Sequence, residues 1–247
     1  MSVRDQLLGS TQPVLSISLE PGERIIAETG EFAWMTDSIR MTAGPAGLSD
    51  YTATSQPGTV AFASRLPGSI VSIEVTPGQE YLVHRNGFLA GTPGIELATG
   101  FRQSLGAAPE EEVAEATADE FILRRIGGHG RAWVELAGDV VTRELAAGTS
   151  LRTHPWHIGI SEGSVAVQMA AVPASKTPGS DSQYFAVLSG PGTVWLQSMQ
   201  LLAAQNFATP NFAAPNLAPP NRRLAAGPAP ARANPAVEGA AGLAAPG

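Results

Sequence analysis

The sequence contains no cysteine among its 247 residues. Disulfides, thiolate zinc sites, iron–sulfur clusters and cysteine nucleophiles are therefore excluded. The chain also has no apolar run of the roughly 18 to 20 residues that a membrane span requires, and its first residues lack the apolar core of a signal peptide. We expect a cytoplasmic protein without a transmembrane segment, and peripheral association with a membrane surface stays open.

Positive charge is scarce. The chain has 15 lysines and arginines against 22 acidic residues, which gives a formal net charge of −7, and Lys176 is its only lysine. An acidic surface repels phosphate groups, so this balance argues against nucleic acid as a partner. Lysine-based chemistry is excluded everywhere except at Lys176.

Glycine and proline are abundant, with 27 and 20 residues, and they punctuate short runs of Val, Ile and Leu. This punctuation is typical of many-stranded β proteins. A module of apolar strands and glycine turns is spelled three times, and repetition on this scale indicates a stacked β architecture. The glycines that we expect to form its structural turns are Gly22, Gly78, Gly130, Gly148 and Gly192.

The predicted organisation is an all-β sandwich or barrel-like body in two tandem halves of short antiparallel strands. They cover residues 1–108 and 121–204, with an acidic linker or short helix at 109–120 between them. Within the first half, alternating apolar residues predict hairpins around Pro21-Gly22 and Pro67-Gly68. Residues 43–58 are rich in Gly, Pro, Ser and Thr and predict a loop.

Residues 205–247 are dominated by Ala, Pro and Asn, a composition that predicts a disordered tail. Three segments that begin with Asn follow one another at a regular spacing within it. Two interpretations stay open: a low-complexity linker, or a multivalent tail that docks onto a protein partner. The apolar residues that would dock are Phe207, Phe212 and Leu217.

Two patterns invite a chemical interpretation. The first, Gly159-Ile-Ser161-Glu-Gly163, matches a hydrolase nucleophile elbow, but no histidine follows Ser161, so we interpret it as a turn. The second, His154-Pro-Trp-His157, offers two imidazoles to a metal. Residues three apart on a strand point to opposite faces, so His154 and His157 are weak metal candidates unless Pro155 turns the backbone.

Tryptophan occurs at four positions, and two of them, Trp133 and Trp195, lie at similar points of the repeated module. Aromatic residues at equivalent points of a repeat usually fill equivalent interior sites. We therefore expect core packing or a subunit seam at Trp133 and Trp195 rather than ligand stacking.

Several segments together resemble the AIM24 family, which belongs to the tryptophan RNA-binding attenuator-like β superfamily. They are Leu19-Glu-Pro-Gly-Glu, Glu28-Thr-Gly-Glu-Phe-Ala-Trp-Met35, Gly87-Phe-Leu-Ala90, Gly130-Arg-Ala-Trp-Val-Glu-Leu-Ala-Gly138 and Gly190-Pro-Gly-Thr-Val-Trp-Leu-Gln-Ser198. The resemblance covers about residues 12–200. It implies attenuator-like β-sandwich halves and a homotrimer, and it supplies no catalytic residues to carry over.

These observations favour a non-enzymatic, homo-oligomeric scaffold or binding protein without a cofactor. Its tail would reach a protein partner or a membrane-associated assembly. The alternative is a cupin-like protein or enzyme that binds a metal or small molecule through His154 and His157.

Overall fold

The computed structural model describes residues 3–65, 67–104, 120–171 and 184–200. Within these ranges the chain forms strands β1 to β19 and two short 3₁₀ turns, Thr29–Glu31 and Pro155–His157, and it contains no α-helix. Every pairing between these strands is antiparallel. The predicted all-β fold is confirmed.

Strand β1 (Arg4–Leu8) precedes three repeats of six strands each. The first repeat comprises β2 (Val14–Leu19), β3 (Arg24–Glu28), β4 (Phe32–Met35), β5 (Ile39–Ala43), β6 (Leu48–Ala53) and β7 (Gly58–Ala63). The second comprises β8 (Gly68–Val75), β9 (Tyr81–His84), β10 (Phe88–Gly91), β11 (Ile95–Ser104), β12 (Glu120–Gly128) and β13 (Gly130–Ala137). The third comprises β14 (Val140–Leu145), β15 (Ser150–Thr153), β16 (Ile158–Glu162), β17 (Ala166–Ala171), β18 (Tyr184–Ser189) and β19 (Gly192–Gln197).

The repeats are defined by one pairing pattern that recurs in each of them. The sixth strand pairs with the first strand and with the third. The fifth strand pairs with the second and with the fourth. In every repeat the register shifts in the third strand, between Phe32 and Trp34, between Phe88 and Ala90, and between Ile158 and Ile160. These shared bulges fix which residues of the three repeats are equivalent.

Neighbouring repeats are joined by a further strand pair. The third strand of a repeat pairs with the second strand of the repeat before it, so β10 pairs with β3 and β16 pairs with β9. Each junction therefore merges two repeats into one six-stranded sheet, in the orders β5-β6-β3-β10-β13-β8 and β11-β12-β9-β16-β19-β14. The two ends of the stack form smaller sheets, β1-β2-β7-β4 and β15-β18-β17.

The division into three repeats differs from the two halves that the sequence predicts. The segment 109–120, which was assigned to a linker between halves, connects β11 to β12 inside the second repeat, and those two strands pair along most of their length. Residues 109–119 lie outside the described residues, as does the predicted tail at 205–247. The acidic, proline-poor composition of this segment is typical of a linker. Amino-acid composition does not indicate whether the strands on either side of a segment pair with each other.

Both predicted hairpins are wrong. The strands on either side of Pro21-Gly22, β2 and β3, belong to different sheets, and so do β7 and β8 on either side of Pro67-Gly68. The predicted loop at 43–58 is also wrong in part, because β6 lies within it and pairs with β3 and β5. Alternating apolar residues indicate that a strand is buried on one face. The strand with which it pairs is determined by contacts between residues that are distant in sequence.

Glycines make the turn between the first and second strand of each repeat. Gly22, Gly78 and Gly148 occupy equivalent positions and have φ values of 84°, 85° and 78°. A side chain disfavours this left-handed conformation, whereas glycine adopts it at no steric cost. The turn sends the chain from one sheet to the next, which is the step that builds each repeat as a sandwich.

Three hydrophobic clusters form the interior of the described residues, and each draws on two repeats. The first combines the first repeat with Leu89, Ala90 and Trp133 of the second. The second cluster includes Ile160 of the third repeat, and the third includes Phe121 and Leu123 of the second. Each core is thus completed by the adjacent repeat, as in other stacked repeat proteins.

Candidate functional site

A cluster of buried charge lies at the junction of the first and second repeats. Glu31 ends the 3₁₀ turn before β4 and is only 3% exposed. It forms an ion pair with Nε of Arg65, which follows β7. Arg65 also donates from its backbone N–H to Oε2 of Glu135 at 3.0 Å and from Nε to Oε1 of Glu135 at 3.3 Å. The guanidinium of Arg65 therefore contacts both carboxylates.

Burial shifts both acids of this cluster. Desolvation, followed by repulsion from Glu135, raises the pKa of Glu31 to about 7, although Arg65 opposes the shift. Desolvation likewise raises the pKa of Glu135 above its ordinary value. A buried carboxylate with a pKa near neutrality is a recognised sign of an acid–base site, but structural ion-pair networks produce the same sign.

The second junction supports the structural interpretation for Glu135. Gln197 of β19 is equivalent to Glu135, and its Oε1 accepts a hydrogen bond of 3.1 Å from the backbone N–H of Ala137, the residue equivalent to Arg65. Its Nε2 donates to the carbonyl of Trp156 at 2.8 Å. A neutral amide makes the same contact as the carboxylate does, so this position holds neighbouring repeats together in both junctions.

Strand β4 carries an exposed apolar surface that we call the FAWM edge, residues Phe32–Met35. Trp34 is 47% exposed, and Phe32 and Met35 are also exposed. The equivalent strands β10 and β16 are buried, because the preceding repeat covers them. Strand β4 is the outer strand of its sheet, and within the described ranges no strand pairs with its outer side.

The opposite end of the stack carries a second outer strand. In the first two repeats the second strand, β3 or β9, pairs on one side with the third strand of the following repeat. In the third repeat the equivalent strand, β15, is the outer strand of the sheet β15-β18-β17. Among the described residues it pairs only with β18.

His154 precedes a 3₁₀ turn and His157 is the last residue of that turn, with ring centroids 6.1 Å apart. The Nδ1 of His157 lies 2.7 Å from the carbonyl oxygen of Gln197, and its Nε2 lies 3.3 Å from Nε2 of Gln200. Burial, followed by the neighbouring His157, lowers the pKa of His154. The part of the chain that the structure describes holds no group of three His, Asp or Glu residues placed to bind a metal ion.

The remaining predicted site residues are distributed along the repeats. Gly130 and Gly192 begin the sixth strands of the second and third repeats, with φ values of 121° and 142°. Trp133 is buried and donates from Nε1 to Oδ2 of Asp5 at 3.0 Å, and Trp195 is half-buried against Tyr81. The predicted docking residues lie outside the described residues, namely Phe207, Phe212 and Leu217.

A cavity of about 340 Å³ lies beside the turns that follow β10 and β12. Thr92, His129 and Arg131 are among the residues that line it. The guanidinium of Arg131 is held by ion pairs to Asp5 and Glu74. The charge at this cavity is therefore already balanced by neighbouring side chains.

Sequence reasoning missed the junction cluster and the FAWM edge. Glu31 and Glu135 are far apart in sequence, and only the pairing between repeats brings them to Arg65. The FAWM edge lies inside a segment that was noted for its resemblance, but exposure follows from its place at the end of the stack. The available signal was the equivalence of Phe32–Met35 with Phe88–Gly91 within the repeat.

The fold and its junctions define a class: all-β proteins built from repeated antiparallel units that share sheets with their neighbours. A model of the family described as Mitochondrial biogenesis AIM24 matches residues 6–199. The chain belongs to the AIM24 family.

Comparison with solved structures also gives a match. The crystal structure of protein SPYM3_0169 from Streptococcus pyogenes matches with a TM-score of 0.64 at 15% identity, and the match covers 81% of this chain and 94% of that one. At this identity the likeness supports the fold alone. No curated protein matches the chain significantly. Within the described residues, no helix is both long and apolar enough to cross a membrane.

Proposed function

We propose that this protein is a non-enzymatic scaffold or binding platform that works as a homo-oligomer. The observation that carries the proposal is the FAWM edge, whose equivalents in the other two repeats are buried against a preceding repeat. A stacked repeat protein normally ends in a repeat with a polar outer face. A first repeat that ends in Phe32, Trp34 and Met35 is instead suited to association.

The backbone N–H and C=O groups on the outer side of β4 also lack hydrogen-bond partners from another described strand. An outer β-strand presents a row of unpaired N–H and C=O groups, and native proteins protect such edges with charges, prolines or bulges unless the edge is used. The four residues of β4 include no charge and no proline, although the strand has one register shift. Apolar side chains together with free backbone groups favour pairing with another chain.

The finer parts of the proposal follow from composition and family. The AIM24 resemblance supports a homotrimer with attenuator-like units. The net charge of −7 argues against nucleic acid as the partner, and the lack of cysteine fits a cytoplasmic location. Residues 205–247 would then reach a protein partner or membrane-associated assembly through Phe207, Phe212 and Leu217.

A pair of matched variants tests self-association. Met35 on the FAWM edge and Met41 on β5 are 36% and 37% exposed, so a lysine at either site is equally well hydrated in the single chain. We expect Met35→Lys to reduce the mass of the particle, measured by light scattering after gel filtration, to that of one chain. Met41→Lys should keep the mass of the unmodified protein. An unmodified protein that already has the mass of one chain would refute the proposal.

A further inference from the structure

We infer that the partner of the FAWM edge is strand β15 of a second copy of this chain, which continues the stack of repeats from one molecule into the next. The inference rests on the proposed self-association and specifies its surface. It requires the third strand of a first repeat to pair with the second strand of a third repeat.

The same strand pair already occurs twice within one chain. β10 pairs with β3 at the first junction, and β16 pairs with β9 at the second. The third repeat supplies another second strand, β15, and the first repeat supplies another third strand, β4, and both are outer strands. The two ends of the molecule are therefore the two sides of one junction that the chain makes elsewhere.

The end sheets are complementary halves of the internal sheets. Each internal sheet consists of a fourth, fifth and second strand followed by a third, sixth and first strand. The sheet β15-β18-β17 holds the first three of these positions, and β4, β7 and β2 hold the other three. Joining β15 to β4 of another copy brings these six positions together in the same order, and β1, which pairs with β2, adds a seventh strand at the end of the sheet.

The internal junctions also fix the register. Ala27 pairs with Ala90 and Val83 pairs with Ile160, and the equivalent residues at the ends are Thr153 and Trp34.

The next position along the strands gives a second pair of equivalent residues. Ile26 pairs with Gly91 and Leu82 pairs with Ser161. The equivalent residues at the ends are Arg152 and Met35. The aliphatic part of an arginine side chain packs readily over an apolar residue such as Met35 while its charge stays in water.

The polar contact of the internal junctions is replaced at the ends by apolar residues. Glu135 and Gln197 are equivalent to Ala63 in the first repeat, and Arg65 and Ala137 are equivalent to Met199 beyond the third. Met199 is 45% exposed. A junction between copies would therefore bring Met199 close to Ala63, without the buried charge of the first internal junction. Apolar residues at these two positions favour association of separate chains, because no charge has to be removed from water there.

This interface is heterologous, since the two copies contribute different strands. Heterologous contacts produce a closed ring when the rotation between copies closes, and an open filament when it does not. A homotrimer corresponds to a ring of nine repeats, because each chain contributes three. No copy in such a ring leaves an outer strand of this kind exposed.

Engineered cysteines test the strand pair and its register. The chain has no native cysteine, so only introduced thiols react. Full-length chains with Met35→Cys and full-length chains with Arg152→Cys are co-expressed, oxidised and separated on a non-reducing gel. Directly opposite residues of antiparallel strands have Cα atoms about 4.5 to 5.5 Å apart, within the range that a disulfide spans. We expect cross-linked dimers of one chain of each kind.

The matched control pairs Met35→Cys with Thr153→Cys, one residue out of register. Adjacent strand residues point to opposite faces, so we expect about tenfold less cross-linking than in the matched pair. Equal cross-linking in both pairs, or none in either, would overturn the register. Cross-linking of Met35→Cys chains among themselves would show a β4–β4 contact and overturn the partner.

A double variant with both cysteines in one chain tests whether β15 pairs with β4 of its own chain. If it forms a disulfide without forming cross-linked oligomers, β15 pairs with β4 of its own chain and the inference fails. The mass of the unmodified protein separates the two proposals. An oligomer without the predicted cross-link refutes only this junction, whereas a single chain refutes self-association itself.

Discussion

Glu31 is a buried carboxylate that the fold keeps beside a second acid, Glu135, with one guanidinium between them. Its position matters because Glu31 immediately precedes the FAWM edge and links it to the second repeat. The neutral Gln197 makes the equivalent inter-repeat contact that Glu135 makes. The carboxylate of Glu135 therefore adds a dependence on pH to the first junction that the neutral amide of Gln197 cannot add to the second.

The first prediction concerns that pH dependence. The pKa of Glu31 is about 7 in the folded protein against an ordinary value of 4.5, so the folded state binds more protons than the unfolded state between these values. The contribution of Glu31 to the free energy of unfolding should therefore fall as pH rises from about 4.5 to 7 and stay low above 7. Denaturant titrations across this range measure it.

Glu31→Gln is the variant that isolates this effect. It should make the slope of the free energy of unfolding against pH more positive, by at most about 1.4 kcal/mol per pH unit, because one proton is involved. In the variant, the raised pKa of Glu135 still contributes a slope of the same sign as Glu31 does, whereas the lowered pKa values of His84 and His154 contribute slopes of the opposite sign. An unchanged slope in Glu31→Gln would show that Glu31 does not titrate in this range.

The turn between the first and second strand of each repeat carries the second prediction, at the scale of the element. Gly78 has a φ of 85° and an added Cβ there would meet nothing within 4 Å, so the cost of a side chain is backbone strain alone. We expect Gly78→Ala to lower the free energy of unfolding by about 1 to 2 kcal/mol. Chemical denaturation measures the difference.

Gly30 provides the control for this substitution. An added Cβ there also meets nothing within 4 Å, and its φ lies outside the left-handed range. We expect Gly30→Ala to leave stability unchanged or to raise it by less than about 1 kcal/mol, through the lower entropy of the unfolded chain. Equal losses in Gly30→Ala and Gly78→Ala would mean that the turn conformation is not the cause.

Turns and strands could be predicted from the sequence where they depend on neighbouring residues. The turns at Gly22, Gly78 and Gly148 follow from glycine next to apolar runs, and most strands follow from Val, Ile and Leu in those runs. Strand β15 has no such run, since Ser150–Thr153 reads as a polar connection. Partners were not predictable, because each repeat pairs its first strand with its sixth and so places sequence neighbours in different sheets.

At the scale of the molecule, the ends of the stack behave differently from its middle. The sequence spells the module three times, which predicts repetition but not which copy is left uncovered. The candidate interface appears only when Phe32–Met35 is compared with its buried equivalents in β10 and β16. A local sequence pattern cannot carry this information, because exposure of the FAWM edge depends on how many repeats precede it.

The third prediction concerns the segment beyond the repeats. The family match ends at residue 199, and the strands that form the repeats end at Gln197. We expect a chain that lacks residues 206–247 to keep the melting temperature and the oligomer mass of the full-length protein. Capture of a protein partner through Phe207, Phe212 and Leu217 should be lost. A truncated chain that unfolds would show that the segment supports the fold rather than a partner.

Native mass spectrometry of the unmodified full-length protein tests the central claim most directly, namely that the two ends of the repeat stack join one copy to another. The account predicts a closed particle in which the FAWM edge and β15 of each copy are both covered, with three chains, the number that the family resemblance implies. A spectrum dominated by single chains at micromolar concentration would contradict it, since the apolar edge would then have no partner from this chain.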